Sequence, residues 1–359
     1  MVVKSIVAVL LSVTLVGGPV YAAETKAAPK PAAKKKPAPA KGLDIYFIDV
    51  EGGQATLFVT PTGESMLVDA GFPGVRDAQR ILNTATQAGV RQIDYLIITH
   101  YHGDHVGGVA ELAKRISINN FVDHGDNSEA GTKVLYDAYT AARGKAKRII
   151  AKPGDKLPIK GIDVQFVAAA TKTITTPMKG ITGGGIPNAF CGDFKPRSEA
   201  DDPYLGGENG QSLAMIISLG KFRMADLGDI TWNYEHALAC PQNLLGTVDL
   251  YLTTHHGQED SGNPMLVRAL QPRAVIMNNG IKKGGSPETF ERIAKLPNHP
   301  DLWQLHKSEV TGSVNASDGN IANLDDVTAY DLRVTARANG SFVITNSRND
   351  NKNTYGVRK

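Results

Sequence analysis

The sequence predicts an α+β protein in which two β-sheets pack face to face with helices on their outer sides. Short apolar, β-branched segments recur in two β-rich halves between residues 43 and 346. Segments of helical periodicity are interspersed among them. Side chains with distinctive chemistry (His, Asp) fall where expected strands end. Together these make two sheets with an edge where strand ends could meet.

The first residues stand apart from that fold. Met1-Val2-Val3-Lys4 is a basic start, Ile6 to Val16 is an apolar run too short for a membrane span, and Val20-Tyr21-Ala22 is a small-x-small cleavage pattern. Residues 1–22 are therefore expected to be a secretory signal peptide, which predicts a periplasmic or secreted protein. No Cys follows the apolar run, which argues against a lipoprotein. Residues 23–42 are nearly all Ala, Pro and Lys, and are expected to be a disordered linker. The folded unit is expected over residues 43–350.

Charge narrows the partners. Seven of the 39 basic side chains and one of the 36 acidic ones lie in residues 1–42, leaving 32 basic and 35 acidic in the rest. A surface that grips nucleic acid carries excess Lys and Arg. The folded part does not, so a small-molecule substrate is expected rather than nucleic acid. The two cysteines, Cys191 and Cys240, lie in no metal-binding spacing; in an exported chain such a pair favours a disulfide.

In chain order, residues 43–50, 55–59 and 65–69 read as a meander of strands. A helix over 75–88 closes at Gly89, and Ile93 to Ile98 is a buried strand. After the following turn come a helix at 109–113, a strand at 117–122, a helix at 131–142 and strands near 147–151 and 162–168. Residues 171–210 are Gly-, Pro- and Thr-rich and read as a long irregular loop, expected to border the functional site as a lid. The pattern then restarts: a hairpin at 212–227, a helix at 231–239, a strand at 249–253, a helix at 263–270, a strand at 273–278, a helix at 286–295 and a strand ending near His306. A closing hairpin turns at Asn339-Gly340.

The chemistry concentrates at Thr99-His100-Tyr101-His102-Gly103-Asp104-His105, on the turn after the strand at 93–98. Three of the chain's nine histidines lie within six positions there. Imidazole nitrogen and carboxylate oxygen suit Zn²⁺, Fe²⁺ or Mn²⁺. In extended geometry His100 and His102 point to one side, and Asp104 and His105 can face a second ion. Three further strand ends carry similar groups: Asp69, Asp229, and the pair His255 and His256.

With these motifs in order, the chain resembles the metallo-β-lactamase superfamily. THYHGDH matches its H-x-H-x-D-H signature. Within it, Phe47-Ile48-Asp49-Val50 with Gly52-Gly53, the run Glu208 to Leu213 and the His-His-Gly ending look most like the metal-dependent domain of ComEC-type DNA-uptake proteins. The resemblance implies an αββα four-layer sandwich with a two-metal site, zinc by default with Mn or Fe as alternatives. It implies that His100 and His102 hold the first ion, that Asp104, His105 and His255 hold the second, and that Asp229 bridges them. Asp69 would orient a motif histidine, Asp104 could steer a proton, and His256 is a candidate donor to the substrate. The chain departs from the family where a third histidine for the first ion is expected: Glu208-Asn209-Gly210 stands there. Glu208, Asn209 or a water could substitute, with His124 and His306 as further options.

The resemblance thus implies an exported hydrolase of a small ester, lactone or phosphodiester. The alternatives are a ComEC-like nuclease, a metal-binding module without catalysis, and an adaptor whose Lys-rich linker binds an anionic polymer.

Overall fold

The computed structural model describes residues 42–198 and 207–358. The expected signal peptide, all of the expected linker but Gly42, and Asp201-Asp202-Pro203 lie outside the described residues.

Alternation of inward and outward side chains sorts the strands into layers. In β1 (Leu43–Phe47), β2 (Thr56–Val59) and β3 (Ser65–Val68) the chain runs as an antiparallel meander. Helix α1 (Val75–Gln87) then crosses over, so that β4 (Gln92–Ile97) pairs parallel to β3. Two short helices stand where the sequence suggests one: α2 (Gly103–Val106), which carries the end of the His motif, and α3 (Val109–Leu112) after it. The chain continues through β5 (Ser117–Asp123), α4 (Lys133–Arg143) and β6 (Lys147–Ile150), extending the parallel run.

The second sheet is built from β7 (Asp163–Ala169), β8 (Lys172–Thr173), β9 (Ala214–Leu219) and β10 (Phe222–Asp226), after helix α5 (Gly207–Gln211) has led into β9. Helix α6 (Trp232–Ala239), β11 (Leu250–Leu252), α7 (Pro264–Leu270), β12 (Ala274–Met277), α8 (Pro287–Ala294), β13 (Asp301–His306) and β14 (Ile321–Asn323) complete it with parallel pairings from β10 onward. The closing hairpin, β15 (Leu332–Ala336) and β16 (Phe342–Asn346), returns to the first sheet beside β1, and β17 (Lys352–Tyr355) adds an edge strand past the expected boundary at 350. The resulting orders are β17-β16-β15-β1-β2-β3-β4-β5-β6 and β14-β13-β12-β11-β10-β9-β7-β8.

Three apolar clusters place the layers. Phe47, Phe58, Met66, Ile97, Phe166, Met224, Leu252 and Trp303 form a core drawn from both sheets. Leu67, Ile93 and Leu96, on the opposite face of the first sheet, pack against Ile81, Leu112 and Tyr139 of its helices. Ile216, Tyr251 and Val275 of the second sheet pack against Leu238, Leu266 and Phe290. The architecture is the four-layer sandwich that the resemblance implied.

The segment after β8 is less irregular than its composition suggests. Met178 and Gly185 donate backbone hydrogen bonds to Leu244 and Asn243, at 2.9 and 2.8 Å. Cys191 and Cys240 lie at bonding distance, with S–S 2.06 Å across a sequence separation of 49. The described part of this segment is thus pinned along residues 239–247. On the chain-entropy model a link closing a loop of that size contributes about 4 kcal/mol. Denaturation with and without dithiothreitol should show a loss approaching that value on reduction; identical curves would show that the link contributes nothing.

Candidate metal centre

The parallel strands β3, β4, β10 and β11 all release their chemistry at their carboxyl ends. Asp69 follows β3 with φ of 60°, and its carboxylate accepts from Thr99 N at 2.8 Å and Thr99 Oγ1 at 2.7 Å. Its Oδ2 also lies 2.8 Å from His105 Nδ1. The Thr99 hydroxyl, its proton committed to Asp69, is 3.1 Å from His100 Nδ1. Both imidazoles are thereby held by Nδ1, which leaves Nε2 facing inward. Close packing sets the same geometry: a Cβ on Gly53 would collide with the Asp104 carbonyl.

Asp229, three residues past β10, occupies the centre. Its Oδ2 lies 3.1 Å from His105 Nε2, 3.4 Å from His256 Nε2, 3.5 Å from His255 Nε2 and 3.9 Å from His100 Nε2. Asp104 Oδ2 is 3.1 Å from His256 Nε2 and 3.3 Å from His105 Nε2, and it also contacts the Lys283 ammonium. His100 Nε2 and His102 Nδ1 face each other at 2.9 Å. Asp104, His105, Asp229 and His256 have ligand atoms within 4.8 Å of one another.

These charges reshape one another. Burial alone would raise the Asp229 carboxyl, but His105, His256 and His255 hold it well below the usual carboxylate range. Burial opposes a charge on His105, yet Asp229, Asp104 and Asp69 push it well above the ordinary imidazole value. His100 is driven well below that value, first by burial and then by the charge of His105.

The donor set fits divalent metal ions. Imidazole nitrogens face one another at 2.9 Å and, between His105 and His256, at 3.2 Å, a spacing that one shared cation satisfies. Asp229 Oδ1 and His256 Nδ1 are buried without a hydrogen-bond partner among the described residues. Both His255, the expected ligand, and His256, the expected donor to the substrate, face Asp229, and it is His256 whose Nε2 also lies within 4.8 Å of Asp104 and His105. Both residues are left-handed, with φ of 50° and 55°, so strand alternation does not continue through the pair.

The other expected residues are placed as follows. Glu208 is buried and already occupied: it accepts from Tyr101 N at 3.0 Å, Ser128 N at 2.6 Å and Ser128 Oγ at 2.7 Å, and its Oε2 is 3.0 Å from His124 Nε2. It therefore braces the motif turn, and His124 is spent on it. Asn209 is buried with both amide atoms lacking partners among the described residues. His306 stands apart with Asp49 at 2.6 Å, and in this second group, which includes Glu51, Arg80 lies 2.9 Å from both carboxylates.

Several contributors were not read from the sequence. Asp260 sits 2.8 Å from His255 Nδ1, and Glu129 sits 3.2 Å from His102 Nε2. An acid five residues after His255 was the available signal for Asp260. Nothing local marks Glu129 or Lys283, because their positions are set by distant chain segments.

Residues 48–226 match the family model for the Metallo-beta-lactamase superfamily. ComE operon protein 3 of Bacillus subtilis is 28% identical over 200 residues, covering 54% of this chain and 21% of that protein. Hydroxyacylglutathione hydrolase of Serratia proteamaculans is 31% identical over 131 residues, covering 36% of this chain and 42% of the enzyme. Atrochrysone carboxyl ACP thioesterase of Aspergillus fumigatus is 22% identical over 297 residues, covering 79% and 61%. The chain thus spans less than two thirds of the length of each of these relatives.

Removing the Glu208 carboxylate strands three donors and His124 in the interior. Glu208→Ala should cost on the order of 3 kcal/mol in chemical denaturation. It should also reduce bound metal about tenfold, as loss of a ligand's supporting contact does. Unchanged stability and metal content would show that Glu208 does not brace the turn.

Proposed function

We propose, on the premise that the chain carries a metallo-β-lactamase superfamily domain with the fold of metal-dependent hydrolases, that it is an exported hydrolase of small esters, lactones or phosphodiesters. The observation that carries this reading is Asp229 Oδ2, buried among four inward-facing imidazole nitrogens between 3.1 and 3.9 Å away. In this reading His100 Nε2, His102 Nδ1 and the Asn209 amide hold a first ion. Asp104, His105 and His256 hold a second, Asp229 lies between, and His255 borders them, oriented by Asp260. Zinc is the ion proposed, and manganese or iron would suit the same donors. When bound, such ions supply Lewis acidity toward the scissile carbonyl or phosphoryl oxygen and acidify the attacking water.

The chain's own residues do the rest. Asp69 and Thr99 fix the tautomers of His105 and His100 from behind. The Asp104 side chain is 12% exposed against 2% for Asp229, so Asp104 is the cluster's carboxylate placed to take the proton released at the solvent side.

A second reading is a nuclease or phosphodiesterase on nucleic acid, favoured by the 200-residue match to ComE operon protein 3. Against it stands the folded part's excess of acidic over basic side chains. No described helix is long and apolar enough to cross a membrane. Export rests on the sequence pattern of residues 1–22 and agrees with the Cys191–Cys240 link.

The test combines metal analysis with a substrate panel. Purified protein should carry close to two ions, lose activity on chelation, and hydrolyse 4-nitrophenyl esters, lactones or bis(4-nitrophenyl) phosphate faster than plasmid or single-stranded DNA. Asp229→Ala should lower kcat/KM by at least about a thousandfold. Activity in metal-free protein would overturn the mechanism, and robust DNA cleavage abolished by His102→Ala would favour the second reading. N-terminal sequencing from the native host should begin near Ala23 or Glu24; a read from Met1 would reject export.

A further inference from the structure

The loop between β12 and α8 carries Lys283, which the family resemblance does not place. Its backbone is tied to the metal centre from several sides. Gly280 N donates to Lys283 O at 2.8 Å, closing a tight turn, and Gly285 N donates to His256 O at 3.0 Å. Gly284 has φ of 70°, and a Cβ there would run into the His256 backbone and side chain. On the other side Gly280 packs on Gly52, and Asn279 Nδ2 donates to Gly280 O at 2.8 Å and to His306 O at 2.9 Å. The base of Lys283 is thus held in register with His256.

The ammonium ends on Asp104 Oδ2, with Nζ 5.3 Å from the centre of the Phe72 ring. The side chain is 34% exposed, whereas Asp104 is 12% exposed. Lys283 is therefore the one Lys or Arg contacting the carboxylates of the centre among the described residues, and it stands between them and solvent. A cavity of about 580 Å³ opens beside it, and its lining includes Lys282 and the carboxylates Glu51, Glu309, Asp325 and Asp326, so Lys283 stands on a mostly acidic rim. An ammonium has three donors, and the contact with Asp104 uses one.

We propose that Lys283 is a substrate-binding residue that holds an anionic oxygen next to the scissile bond, so that the preferred substrate is a small phosphodiester rather than a neutral ester. This deepens the hydrolase reading and rests on it. A phosphodiester keeps one negative charge on a non-bridging oxygen. That oxygen would approach a centre rich in carboxylates, and the ammonium offsets the repulsion there. A single rim cation suffices for a small anion but does not anchor a polyanion, which needs several such contacts.

The test uses the full-length zinc-loaded protein, Lys283→Met and Lys283→Arg, with zinc content and melting temperature measured alongside. In calorimetric titration with inorganic phosphate, Lys283→Met should bind at least about tenfold more weakly than wild type, the value of a lost charged hydrogen bond, and Lys283→Arg should recover most of the difference. With bis(4-nitrophenyl) phosphate, kcat/KM of Lys283→Met should fall by about thirtyfold, chiefly through KM, a loss at least about fivefold greater than that on 4-nitrophenyl acetate. Equal phosphate affinity in wild type and Lys283→Met would overturn the proposal. So would equal losses on both esters, or a Met variant whose only change is tighter zinc, which would make Lys283 a competitor for the ion. Phosphate binding that depends on Lys283 in a protein that hydrolyses neither ester would sink the hydrolase reading but leave this site standing.

Discussion

The structure around the centre is organised by one constraint: Asp229 is a carboxylate with almost no access to water. Burying an isolated carboxylate costs on the order of several kcal/mol even after relaxation, unless opposite charge or hydrogen bonds surround it. Here four imidazoles converge on one of its oxygens, while the other oxygen has no partner among the described residues. Meeting that constraint requires both sheets. His100 and His105 arrive from the end of β4, and His255 and His256 from the end of β11. The parallel pairings β3·β4 and β10·β11 bring those ends to a common edge.

Holding the imidazoles in place has its own cost, and the fold absorbs it in the backbone. Asp69, His255 and His256 all have positive φ, a region that side-chain-bearing residues rarely adopt. Three such residues in one centre mark strain held by surrounding hydrogen bonds: Asp69 by Thr99, His255 by Asp260 and its N–H to Gly228 O at 3.1 Å, and His256 by Gly285. Glu208 does the same for the motif turn by accepting from Tyr101 and Ser128. Glu208, standing where the resemblance implies a third histidine, is thus engaged with the backbone of the motif turn and with Ser128.

Charge outside the centre is handled differently. Asp49, Glu51 and His306 look like a second ligand group by proximity alone, yet Arg80 already answers both carboxylates. The network ties the end of β1 to the end of β13 and gives both carboxylates a guanidinium partner. Asp229 differs: among the described residues its ion-pair partners are imidazoles, with no Lys or Arg.

Most strands, the layer order and the motif histidines were legible in the sequence because each depends on local periodicity. Met66 and Val68 face one way and Leu67 the other, and that alternation needs only neighbours in the chain. The H-x-H-x-D-H spacing likewise concentrates ligands on one turn. What escaped was short or distant. Strand β14 has three residues, and β17 is polar and recognisable only by its pairing with β16. That His255 and His256 both turn toward Asp229 follows from two successive left-handed residues that no strand pattern announces. Glu129 and Lys283 reach the centre across separations of 27 residues to His102 and 179 to Asp104. The sequence by itself therefore determined the layers and the chemical nature of the centre, since both arise from local spacing. Which nitrogen, carboxylate and ammonium meet there was decided only by tertiary structure, because the packing of one sheet on the other sets those distances.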